Sequence, residues 1–396
     1  MSSILNFGWK PVCVRVHRDS DFFVRESEHN ESFADGSHVD DWEDNMTENA
    51  MTKSPQGTSW IWRGGRLLIT GIVAALAIIG LMMITTPEDS SSTSLAQVPR
   101  RAPQFDLSNA IVDTRELRAG GPPRDGIPAL TQPRLIPVAQ ADYLRGNDRV
   151  IGVVINKQAR AYPLAILNYH EIVNDTIADV PVAVTYCPLC DSVAVYDRRT
   201  PVGEREFGVS GLLYNSNVLM YDRGGQPESL WSQVKTTGIS GPAAGKQLAA
   251  VPCELTTWQS WKSRHPDSIV LSPNTGHQRD YSRNPYENYF TNQQLMFPAT
   301  PSDKRLPTKE RVLGVWVGNS YRAYAESRIP PRQDEISDKI GDKQVTIAID
   351  RNTKSMRVAS ADEGVSWLYS FWFAWYALHP DTTVYGDPPA TSGNDR

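Results

Sequence analysis

Cysteine is scarce, with four residues in a chain of 396, and that excludes a small scaffold stapled by disulfides. Charge of one sign is lacking as well. Forty Lys and Arg stand against 45 Asp and Glu, a net charge of −5, so the basic surplus of a nucleic-acid binder is absent. The sequence has no phosphate-binding loop, no glycine fingerprint for a dinucleotide and no HExxH zinc helix. It also has no G-x-S-x-G elbow, which removes the hydrolases built on that turn. Length alone, at roughly 150 residues per domain, predicts two or three domains.

One stretch departs from globular composition. Residues 67–84 read LLITGIVAALAIIGLMMI, with no charge. At 1.5 Å per residue this run spans about 27 Å, enough to cross a hydrocarbon core, and it lacks the polar face of a core helix. Lys53, Arg63 and Arg66 precede it, and Glu88 and Asp89 follow. That asymmetry puts the N-terminus in the cytoplasm and the rest outside a bacterial inner membrane, held by a single span. The layout expected is a largely disordered tail over 1–66, a transmembrane helix or signal anchor over 67–84, and a linker with domain entry over 85–129. Met51 begins a short basic and then apolar stretch of its own, so the first fifty residues also read as an over-extended start. A cleaved signal peptide, with Ser94-Leu95-Ala96 as its site, is the rival reading.

The remainder reads as one domain written twice. Arg149-Val150-Ile151-Gly152-Val153 returns as Arg311-Val312-Leu313-Gly314-Val315, and Arg160-Ala161-Tyr162 as Arg322-Ala323-Tyr324. Trp258-x-x-Trp261-x-x-x-His265-Pro266-Asp267 returns as Trp372-x-x-Trp375-x-x-x-His379-Pro380-Asp381. The offset falls from 162 to 114, so the second copy is 48 residues shorter. Matched blocks in one order predict a tandem duplication, with a first copy over 130–275 and a shortened one over 295–390. The stretch missing from the second, around residues 187–241, is where special chemistry is expected.

Within the first copy, Val150–Ile155 and Ala159–Tyr162 alternate as strands across a turn at Asn156 to Gln158. Pro163 opens a short helical turn, residues 171–173 and 182–186 form another strand pair, and 192–196 and 217–221 are further strands. Residues 256–264 form a short amphipathic helix stopped at His265-Pro266. The fold class expected is therefore α+β and β-rich: a tandem duplicated domain of short strands, each copy with a short helix, preceded by one transmembrane helix. Aromatics are numerous enough to fill two small cores.

Several motifs resemble a known family. They are Ala161-Tyr162-Pro163-Leu164, His170-Glu171-Ile172-Val173-Asn174-Asp175, Thr185-Tyr186-Cys187-Pro188-Leu189-Cys190, Phe207 through Ser216, Met220-Tyr221-Asp222-Arg223 and Ser229-Leu230-Trp231-Ser232-Gln233. Together they resemble the bacterial domain-of-unknown-function 3179 family over about 135–385. The resemblance implies no reaction, and it implies an exported or membrane-anchored setting.

Cys187-Pro188-Leu189-Cys190 is the sharpest chemical feature. Three readings stand side by side: a thiol redox pair, a metal knuckle and a disulfide staple without enzymatic role. A redox CxxC of the thioredoxin type opens a helix, whereas strands flank this one, so a hairpin knuckle is expected. Structural zinc wants four ligands and no second CxxC exists. A copper or zinc ion with mixed ligands would draw on Cys187, Cys190, His170 and Met220. His170 falls opposite Asp334 in the second copy, so it is lost there together with the cysteines. A lone His is as readily a hydrogen-bonded structural residue, and a strand Met is usually core. Cys253 reads as a buried free thiol, and His265 and His379 as helix stops. A ligand pocket from Tyr214, Asn215, Asp222, Trp231 and Gln233 rests on their co-occurrence in the extra segment.

Overall fold

The computed structural model describes residues 105–388. The apolar run at 67–84 and the tail before it lie outside the described residues. Among those described, no helix is long and apolar enough to cross a membrane.

The chain is β-rich with few helices, as expected. Strand β1 is Leu135–Pro137, followed by β2 (Arg149–Ile155), β3 (Gln158–Pro163), helix α1 (Leu164–His170), β4 (Ile172–Ile177), β5 (Val180–Cys187) and β6 (Ser192–Asp197). An inserted meander comprises β7 (Glu206–Tyr214), β8 (Asn217–Arg223), β9 (Leu230–Ser232) and β10 (Thr237–Ser240). Then come β11 (Cys253–Thr257), α2 (Trp258–Arg264), β12 (Ile269–Leu271) and a short helix α3 (Glu287–Phe290). The second half holds β13 (Arg311–Val317), β14 (Ser320–Ala325), β15 (Glu335–Ile340), β16 (Lys343–Asp350), β17 (Ser355–Ala361), β18 (Ser366–Phe371), α4 (Trp372–Leu378) and β19 (Thr383–Val384).

Local sequence explains these elements. β2 is rich in β-branched residues that suit a pleated surface. Its hairpin to β3 turns at Asn156-Lys157, and β4 turns to β5 at Ala178-Asp179; all four residues have positive φ, the backbone that two-residue hairpins of matching twist require. Helix α2 starts where the Thr257 hydroxyl accepts from the Ser260 N–H at 3.3 Å, and it stops at His265 because Pro266 follows.

Strand order recurs. In the first half β11-β2-β3-β12 are neighbours; in the second, β18-β13-β14-β19 are. In both, the outer pairing of the third and fourth members is parallel. The meanders β4-β5-β6 and β15-β16-β17 match as well. The halves are not separate bodies, however. β6 pairs with β18 through Val193 and Tyr369, which joins β4-β5-β6 to β18-β13-β14-β19 in one sheet. One hydrophobic cluster takes Ile151, Tyr162 and Val184 from the first half together with Leu313, Tyr324 and Ile347 from the second. Tyr162 and Tyr324 thus share one core, while Trp258 and Trp261 fill a smaller cluster of the first half alone.

Strand register refines the alignment of the halves. The Tyr186 N–H donates to Glu171 O as the Ile349 N–H donates to Asp334 O, so Asp334 stands at the position of Glu171, and Gln333 at that of His170. Cys187 pairs with Ser192 as Asp350 pairs with Ser355. The turn bearing the cysteines therefore has a counterpart of equal length, and the extra length of the first half lies beyond it, in β7 to β10.

Candidate functional site

The two cysteines sit on the hairpin between β5 and β6. Cys187 is the last residue of β5, and the turn closes where the Cys190 N–H donates to Cys187 O at 3.2 Å. A strand follows the pair, as the sequence suggested, so no helix N-terminus acts on these thiols. Both side chains are buried and unbonded to each other as a disulfide.

The surroundings make the two sulfurs unequal. Burial alone would raise the Cys187 thiol, yet the Cys190 thiol and the backbone N–H groups of Val218, Cys190 and Leu189 turn toward it and hold it below the usual thiol range. Cys190 is driven well above that range by burial and by its neighbour Cys187; its Sγ donates to Ser216 O at 3.3 Å. Cys187 is thus the more acidic thiol of the pair.

Glu171 is the third member. It follows the last residue of α1 at φ 56° and ψ −33°, a backbone conformation that side chains other than glycine rarely adopt. Its carboxyl is pushed well above the usual carboxylate range, first by burial and then by the charge of Cys187. Glu171, Leu189, Val218, Tyr286, Met296 and Phe297 are among the residues lining a cavity of about 120 Å³ beside the turn. The 286–300 stretch covers it: the Tyr289 hydroxyl donates to Leu189 O at 2.8 Å, and the Ser216 hydroxyl donates to Phe297 O at 3.1 Å. Burial and the cysteine and Glu171 charges raise the Tyr286 and Tyr289 phenols.

The residues singled out in the sequence fall in several places. Met220 is fully buried in the same cluster as Cys187 and Cys190, opposite Trp231 across β8 and β9. His170 has both ring nitrogens occupied: Nδ1 donates to Pro128 O at 2.8 Å, and Nε2 accepts from the Tyr281 hydroxyl at 2.6 Å. Burial lowers its pKa to about 4. Gln233 lies behind the hairpin, where its amide donates to the Thr185 hydroxyl at 2.9 Å and its carbonyl accepts from Ser192 at 2.6 Å. Asp222 accepts from the Ser229 N–H and the Trp231 indole. Asn215 accepts from the Thr300 N–H at 2.9 Å, and Tyr214 is half-buried with Glu116 nearby. None of these five lines the cavity beside Leu189. Among the described residues, no group of three or more His, Cys, Asp or Glu side chains is placed to hold a metal ion.

Asp191, adjoining Cys190, went unnoticed in the sequence. Its carboxylate is wholly buried and takes Arg149 Nη1 at 2.9 Å and Arg311 Nε at 2.5 Å. Burial opposes its ionisation, but the two guanidinium groups outweigh that and hold its pKa low. The Tyr186 hydroxyl adds a bond at 2.9 Å. The two arginines are the matched first residues of β2 and β13, which is the signal that could have drawn attention to them.

A family model described as a protein of unknown function (DUF3179) matches residues 124–382. No curated protein and no solved structure matches the chain.

Proposed function

The chain belongs to the DUF3179 family, whose description carries no reaction, and from its own geometry we propose a membrane-anchored, extracytoplasmic protein in which Cys187 and Cys190 perform thiol–disulfide exchange. The observation that carries this reading is the Cys187 sulfur, ringed by the Cys190 thiol and three backbone N–H groups, beside the buried Glu171. The anchor rests on the apolar run at 67–84, and a duplicated origin of the domain rests on the recurring strand order.

The Cys187 thiolate attacks one sulfur of a substrate disulfide; an S–S bond forms to the protein, and the other substrate sulfur leaves as a thiolate and takes a proton from solvent. Cys190 attacks Cys187 Sγ and releases its proton. The intramolecular disulfide forms, and the second substrate sulfur leaves and takes up that proton. Two electrons move from the dithiol to the substrate, and the reverse direction oxidises a dithiol. Both sulfurs are buried and neither lines the neighbouring cavity, so a small disulfide suits the site better than a protein disulfide.

Incubation of the purified full chain with 2-hydroxyethyl disulfide tests this. Exchange that stops in Cys187→Ser and halts as a trapped mixed disulfide in Cys190→Ser supports the reading. A pair that never exchanges, and whose oxidation only changes stability, makes it a staple. Stoichiometric copper or zinc lost in Cys187→Ser would establish the metal reading instead.

A further inference from the structure

A second cavity, of about 210 Å³, has neither thiol in its wall. Its wall is assembled from equivalent positions of the two halves: Arg149 with Arg311, Leu255 with Tyr369, and Asp191 with Lys354. The last pair breaks the symmetry in charge. Three cations and one carboxylate line the cavity, a surplus of two positive charges.

Asp191 does not exhaust the arginines. It uses Nη1 of Arg149 and Nε of Arg311. Arg149 Nη2 lies buried with no hydrogen-bond partner, and the Arg311 side chain remains 56% exposed. A guanidinium has five N–H groups in a planar fork, and a fork with donors to spare fits a carboxylate or phosphate. The buried carboxylate thus fixes two guanidinium groups in place while leaving donors free. Thr256, Thr353, Ser355 and Ser370 add hydroxyls to the wall, whereas Leu255, Leu313, Met356 and Tyr369 make much of the remainder apolar.

We propose that this cavity binds a small organic anion, its charged group held by Arg311 and Lys354 and its apolar part resting on Leu255, Leu313, Met356 and Tyr369. Water or inorganic phosphate would leave the apolar wall unused, and a neutral apolar molecule would leave the cations unpaired. The proposal does not depend on the thiol reading, since neither sulfur lines this cavity.

Titration calorimetry of the purified full chain with phenyl phosphate, inorganic phosphate and benzyl alcohol tests it. Phenyl phosphate is expected to bind one-to-one, about tenfold tighter than either comparison ligand, and to lose about tenfold in Lys354→Gln. Lys354 makes no bond to Asp191, so this variant keeps the buried ion pairs; Arg311→Gln is the stronger second variant, read alongside its melting temperature. The proposal falls if phenyl phosphate fails to saturate, if benzyl alcohol binds as well as it does, or if both variants bind it like the parent.

Discussion

The Trp261 indole occupies the space that a side chain on Gly152 would need: a Cβ at that glycine would overlap the six-membered ring. Gly314 stands in the same relation to Trp375. Each indole is fixed at its other end, Trp261 Nε1 donating to Ser268 at 2.9 Å and Trp375 Nε1 to Thr382 at 3.0 Å. The short helices α2 and α4 are thereby pressed flat against β2 and β13. Gly152→Ala and Gly314→Ala should each cost about 1–3 kcal/mol or more, because a packed indole with its N–H engaged has nowhere to move. Urea denaturation measures this, and an unchanged midpoint in either variant would contradict the close approach.

Asp191 carries a second stability prediction. Removing its charge leaves two guanidinium groups without their counter-ion, one of them largely buried. Asp191→Asn should therefore lose about 3–5 kcal/mol, the cost of breaking a buried ion pair from one side. The folded carboxyl has a lowered pKa, so its stabilisation is present above the unfolded value and is lost as pH falls through the folded one. Acid unfolding of the parent and of Asp191→Asn should converge at low pH; curves that stay parallel would deny the pair this role.

Strands were the legible part of this chain. Alternation and β-branching marked β2, β3, β5 and β6, and Trp-x-x-Trp ahead of His-Pro marked α2 and α4. Recurrence of Arg149 and Arg311 was visible too, but their meeting on Asp191 was not, since that carboxylate comes from a different strand pair and nothing local ties it to them. Glu171 was hidden for another reason: its importance lies in burial at an unusual φ, which no residue pattern encodes. His170 illustrates the converse. Chain position placed it near Cys187, yet at the end of α1 its ring meets Pro128 and Tyr281, and sequence spacing does not say which face a side chain takes.

His379 reads in sequence as a helix stop, and in the fold it also holds the insertion. Its Nε2 donates to Val234 O at 3.0 Å, and its ring stacks on Tyr321 at 4.4 Å. Burial lowers its pKa from 6.5 to about 4. Between those values the unfolded chain binds a proton that the fold does not, so stability is lost as pH falls through that window. From pH 7 to pH 5 this one residue should contribute about 2 kcal/mol of loss. Other groups titrate there, so the quantity to read is the difference between parent and His379→Gln, which keeps a donor for Val234. Equal losses in the two proteins would show that His379 titrates freely.

Reactivity of Cys187 separates a poised thiolate from an inert buried thiol. The rate of alkylation follows the thiolate fraction, so its pH midpoint in the parent should lie below the usual thiol value of about 8.5. Cys190→Ala removes the S–H that turns toward Cys187 and should move the midpoint upward, since burial then acts against fewer donors. Glu171→Gln leaves those donors intact, so its midpoint should not rise. Slow alkylation at every pH would point to access as the limit, and Met296→Ala, which trims the cavity wall and keeps Cys187, distinguishes that case: faster alkylation with the same low midpoint keeps the thiolate, whereas a midpoint near the ordinary thiol value in all variants shows that the three backbone N–H groups and Cys190 do not stabilise it.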